Sequence, residues 1–228
     1  MIPLTDSHYP TPGPLNALGF GWSRMKANAL LLFLATLVAI IADMPVNQNT
    51  GDFSSENPVT PLFALLITAY ALLLQPLFQY GVDLIFLRST RGEDVKIGSI
   101  LDGFQRYVDV VLAHLLVIGL IFIGIIALVI PGVYVACRLV FVSYLVMDEG
   151  MDPIAAVEGS WRMTRGHAGK VFLLGLLSIL VVFCGLALLL IGVFPAIMWC
   201  KSAFASLYLS IQAENAPEEP LLDETPDA

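Results

Sequence analysis

The feature that most constrains this chain is the gathering of its apolar residues into long runs nearly free of charge. About 20 helical residues cross the ~30 Å hydrocarbon layer of a bilayer. Within that layer each backbone polar group must be satisfied inside the protein, so such runs fold as helices. Six can be drawn, at residues 27–42, 61–87, 109–130, 133–147, 169–194 and 195–211. Composition agrees, with 57% hydrophobic and 13% charged residues, whereas soluble domains carry about 25% charged. The fourth run is short. At ~1.5 Å per residue it reaches only ~22 Å, and it is expected to rely on neighbouring helices or on local thinning of the bilayer.

Nine of the 11 basic residues fall on one side of this arrangement. Arg24 and Lys26 precede the first run, Arg88, Arg91, Lys96 and Arg106 separate the second and third, and Arg162, Arg165 and Lys170 separate the fourth and fifth. The opposite side offers only the acids Asp43, Asp52 and Glu56, in a polar loop over 43–60. Because Lys and Arg accumulate in cytoplasmic loops, both termini are expected in the cytoplasm. The net charge of −8 is misleading: six acids and no base lie in residues 214–228, leaving −2 for the rest. The cytoplasmic face is therefore basic. The expected partners are the bilayer, anionic lipid head groups at that face, and a protein partner or a second copy; nucleic acid is not among them. Residues 1–14 hold no Lys or Arg, so a cleaved signal peptide is not expected.

A repeating unit runs through the chain. Leu15, Leu18 and Trp22, then Ile97, Ile100 and Phe104, then Ile154, Val157 and Trp161 each follow i, i+3, i+7 spacing, with basic residues just after the aromatic. That is the pattern of an amphipathic helix lying in the membrane interface. Asp152-Pro153 predicts the start of the third such helix, and Asp94 is a candidate cap for the second. Two runs follow each segment, with proline in the expected turns at Ile130-Pro131-Gly132 and Phe194-Pro195. The expected fold is thus all-α and polytopic: six transmembrane helices as three parallel hairpin repeats (15–87, 95–148 and 152–212), each preceded by a cytoplasmic amphipathic helix. A flexible N-terminus (1–14) and an acidic disordered tail (213–228) flank the membrane domain at 15–212.

Ionisable and amide side chains inside spans are functional candidates, because burying them unpaired is costly. Gln75, Gln79 and Asp83 recur every four residues on one helix face, and Arg138 and Lys201 sit within later spans. As a functional site the five would line a polar cavity for a solute. The structural reading, which is preferred, has Arg138 and Lys201 snorkelling to the interface and Asp83 within reach of Arg88 or Arg91. Asp148-Glu149 reads as part of a loop capping the third amphipathic helix. Trp22, Trp161, Tyr107 and Tyr208 read as interfacial anchors, and Cys137, Cys184 and Cys200 as unpaired core residues. His114 and His167 have no partner at metal-ligand spacing. No phosphate loop, nucleophile elbow or metalloprotease signature occurs, so neither enzymatic activity nor a cofactor is expected.

One stretch carries a resemblance. Ile130-Pro131-Gly132-Val133-Tyr134, Arg138-Leu139, Phe141, Asp148-Glu149-Gly150, Ala156 and the segment from Gly159-Ser160-Trp161 through Thr164 to Gly166 resemble the membrane domain attached to some bacterial glycerophosphodiester phosphodiesterases. The resemblance covers about residues 80–212. It implies a bacterial inner-membrane protein of about six spans, with no established activity for the membrane part. The soluble phosphodiesterase domain has no counterpart after Ile211, so that activity does not carry over. The expected function is a non-enzymatic organising, sensing or envelope-supporting role, linked to lipid metabolism through the resemblance. The alternative is a transporter or channel for a small polar or amphiphilic solute.

Overall fold

The computed structural model describes residues 10–47, 60–187 and 192–215, and all their regular structure is helical. Among the described residues five helices are long and apolar enough to cross a membrane, or six if a bent pair is counted as one span. That pair is α1 (Pro14–Ala27) and α2 (Ala29–Asn47), which turn by 102° at Asn28. Next come α3 (Thr60–Leu73) and α4 (Gln75–Arg91), nearly continuous and broken only at Leu74, just before Pro76. Gly92 ends α4 in the left-handed conformation, its N–H on the carbonyls of Arg88 and Ser89, as a glycine without a Cβ can do cheaply.

A short 3₁₀ turn (Ile97–Leu101) and α5 (Asp102–Gln105) lead into α6 (Tyr107–Ala127). The return arm is α7 (Val129–Leu139) with α8 (Val142–Met147), then α9 (Pro153–Met163), α10 (Ala168–Ala187) and α11 (Val193–Glu214).

Several boundaries differ from expectation. The fourth span starts at Val129, not 133, and runs 19 residues to Met147, ~28 Å of helix and enough to cross unaided. Pro131 lies inside its first turn, where a missing N–H costs nothing, and the chain reverses instead at Leu128, which is fully extended. Gly124 and Gly132 make that reversal tight: a Cβ on Gly124 would fall 2.9 Å from the Gly132 Cα. Pro195 is likewise inside the first turn of α11. The second interfacial segment is a 3₁₀ turn plus one α-turn rather than one helix, and Lys96, not Asp94, stands at its start. Asp43 belongs to α2 instead of the loop, while Asp52 and Glu56 lie outside the described residues, as do 1–9 and the tail from 216.

Burial is uneven along the helices. In α4, Leu77, Val82 and the run Leu84 to Leu87 are at most 1% exposed, and α11 is enclosed from Cys200 to Ile211 apart from Lys201 and Phe204. By contrast α3, the distal part of α6 and α10 show rows of exposed Leu, Ile and Phe, such as Ile126 at 70% and Phe183 at 65%. Such wide apolar faces are rare on monomeric soluble proteins and are consistent with a membrane protein. The short segments pack their small residues inward. Gly21 of α1 meets the backbone of Ala203 in α11, and Gly81 of α4 meets that of Ile100, closer than any Cβ would allow.

Candidate intramembrane polar site

The five polar residues singled out from the sequence do not share one site; they divide among three. On α4, Gln75 and Gln79 are one turn apart and so face the same neighbour. That neighbour is α2, where Asp43 Oδ1 accepts from Gln75 Nε2 at 2.7 Å and Gln79 Nε2 at 2.8 Å. Nearby, the Tyr70 hydroxyl donates to the Ala42 carbonyl at 2.9 Å. One turn further along α4, Asp83 meets a different helix. Lys201 Nζ of α11 donates to its Oδ1 at 2.6 Å, with both side chains three-quarters buried or more.

This pairing corrects two expectations. Lys201 does not snorkel, and Asp83 does not pair with Arg88 or Arg91. The helical wheel explains the second point: at 100° per residue Arg88 lies ~140° around α4 from Asp83, and Arg91 is ~12 Å further along the axis. Arg88 instead bonds Ser99 Oγ at 3.1 Å and Asp102 at 3.5 Å. Arg91 forms a two-pronged pair with Asp148, at 2.6 and 2.5 Å, the geometry in which a guanidinium binds a carboxylate most strongly.

Glu149 accepts from the Tyr208 hydroxyl at 3.0 Å and Gln212 Nε2 at 2.9 Å. Asp148-Glu149 therefore clasps α4 and α11 and does not simply form a capping loop; Asp152 alone caps α9, accepting from the Ala155 N–H. Tyr208 is fully buried against Phe141 and Tyr144, not an interfacial anchor.

Arg138 is the third case. It is 3% exposed, so it does not snorkel either. Its guanidinium carbon lies 4.6 Å from the ring centre of Trp161 in α9 and 5.7 Å from that of Tyr134, one turn earlier in α7. The two rings meet edge to face, 6.1 Å apart. No carboxylate pairs with Arg138 among the described residues, and its buried Nε has no hydrogen-bond partner.

The backbone beneath it is fully engaged. α7 ends here and leaves its last carbonyls open, as helix ends do; the Arg138 carbonyl accepts from Ser160 Oγ at 2.8 Å and Thr164 Oγ1 at 3.2 Å. Ser160 Oγ also accepts from the Phe141 N–H at 3.3 Å, bridging the break between α7 and α8. Two motifs distant in sequence, Tyr134 with Arg138 and Ser160-Trp161 with Thr164, thus come together in one packed cluster.

The remaining candidates are spent locally. His114 packs edge-on to Tyr80, and His167 lies between Glu214, at 3.4 Å, and the Arg165 carbonyl. No group of three potential metal ligands occurs among the described residues. Two surface grooves of about 580 Å³ are mainly apolar. One lies between α10 and α11 with Lys201 at its wall, the other at the α1–α2 elbow beside Lys96.

Asp43, Asp148 and Glu149 were not singled out from sequence as partners of these groups. The repeat of Gln75 and Gln79 on one face was the available signal that something polar must lie opposite. Compared with protein-family models, with curated proteins and with solved structures, the chain matches none.

Proposed function

We propose that this is a non-enzymatic multi-pass membrane protein with an organising, sensing or envelope-supporting role. The observation that carries the proposal is how the polar groups within the spans are used. Asp43 takes both glutamine amides and Lys201 takes Asp83. Each tie joins two helices, and each neutralises or satisfies groups that a conducting path would present to its solute. Interhelical bonds of this kind support association of spans where the hydrophobic effect cannot.

The finer arrangement belongs to the same reading. Leu15, Trp22, Ile97, Phe104 and Ile154 project outward at 40–73% exposure while the small residues beside them pack inward, which supports three interfacial segments dipping apolar side chains into the bilayer. Three parallel hairpins, termini in the cytoplasm of a bacterial inner membrane, and kinship with phosphodiesterase-associated membrane domains complete the proposal.

Reconstituted into sealed proteoliposomes, the protein is expected to give no saturable uptake of sugars, amino acids, glycerophosphodiesters or inorganic ions. Uptake that is abolished by Lys201→Met in a folded variant overturns the reading in favour of a transporter. Reporter fusions at both termini, active only in the cytoplasm, test the topology.

A further inference from the structure

We propose that Arg138, between Tyr134 and Trp161, is a binding site for an oxyanion, supplied by the head group of an anionic phospholipid. The proposal rests on the non-transporting reading above and gives it a ligand. A buried guanidinium normally has a carboxylate beside it; here there is none among the described residues, and the Nε is orphaned. Cation–π contacts with two rings compensate the charge in part, but no oxygen among the described residues accepts from the guanidinium N–H donors. A planar fork with free donors is the group that takes phosphate oxygens in pairs.

The surroundings point to a lipid as the source. Tyr134 is half exposed and shares its surface with Ile130 and Val133, at 81% and 42% exposure, so the side of the guanidinium it covers faces hydrocarbon. The proposed site requires Tyr134 to move aside and uncover the charge, with Trp161 remaining as a wall beside it. Just past Trp161, Arg162 in α9 and Arg165 in the turn that follows it are exposed and form no ion pair among the described residues, so the segment beside the site carries two unpaired positive charges.

The full chain is placed in phosphatidylcholine nanodiscs with increasing fractions of phosphatidylglycerol brominated on its acyl chains, and tryptophan quenching is recorded. Brominated phosphatidylcholine serves as the control lipid. Saturable quenching by the anionic lipid beyond that of the control is expected, with the excess absent in Trp161→Phe. In Arg138→Met the apparent affinity is expected to fall about tenfold or more, and in Arg138→Lys by less, since charge persists without the fork. Equal quenching by the two lipids, or affinity unchanged in a folded Arg138→Met, overturns the proposal. If Arg138→Met does not fold, the wild-type excess and its loss in Trp161→Phe decide the matter.

Inorganic phosphate is the second arm. If it displaces the brominated anionic lipid in an Arg138-dependent way and binds as tightly, the oxyanion site stands and its source is water-borne phosphate. Failure of lipid binding leaves the uptake result untouched, so the two readings fall separately.

Discussion

Lys201 and Arg138 are both cations inside membrane-spanning helices, yet the protein treats them differently. Lys201 on α11 meets Asp83 of α4 at 2.6 Å, one turn along α4 from the glutamines that hold Asp43 of α2. Arg138 at the end of α7 meets two aromatic rings and no acid among the described residues. The first arrangement consumes its charge in holding helices together. The second keeps its donors, and stability alone gives no reason to keep them.

The contrast is sharpest when each cation is removed. Lys201→Met leaves Asp83 buried and unpaired and is expected to cost about 3 kcal/mol, measured by unfolding in mixed micelles. Adding Asp83→Asn to it should recover most of the loss, and no recovery would mean that α4 and α11 are not held by this pair. Replacing both Gln75 and Gln79 with Leu strips the Asp43 carboxylate of its two donors, with an expected loss of about 2 kcal/mol.

Ser160→Ala takes the bridging hydroxyl from the Arg138 carbonyl and the Phe141 N–H, and about 1–2 kcal/mol is expected to be lost. That result would show that the cluster's scaffold is structural even though its charge is not. Arg138→Met closes the series. In detergent without anionic lipid it is expected to change stability by less than about 1 kcal/mol, because an apolar chain of similar length keeps the packing and removes an uncompensated charge. A loss as large as that of Lys201→Met would erase the distinction between the two sites.

Much of the helical framework was legible, but less of its partnering. Long uncharged runs have one solution in hydrocarbon, so spans were readable to within a few residues, except where proline was placed in a turn and the structure puts it inside a first helical turn at Pro131 and Pro195. Asp152 as a helix cap was readable because its bond is local. Gln75 and Gln79 were rightly placed on one face, but the acid opposite them is 32 residues from Gln75, in a segment read as loop.

What the sequence determined by itself, then, is a set of long apolar helices and the presence of polar groups in apolar surroundings, both of which depend on local chain composition and helix periodicity. Which group meets which was decided only in the tertiary structure. Asp83 and Lys201 are 118 residues apart and Arg138 and Trp161 lie on different helices, and contacts at that separation follow from how whole helices pack against one another. A one-dimensional pattern shows that Lys201 and Arg138 each need an answer, while the packing supplies a carboxylate to one and leaves the other open.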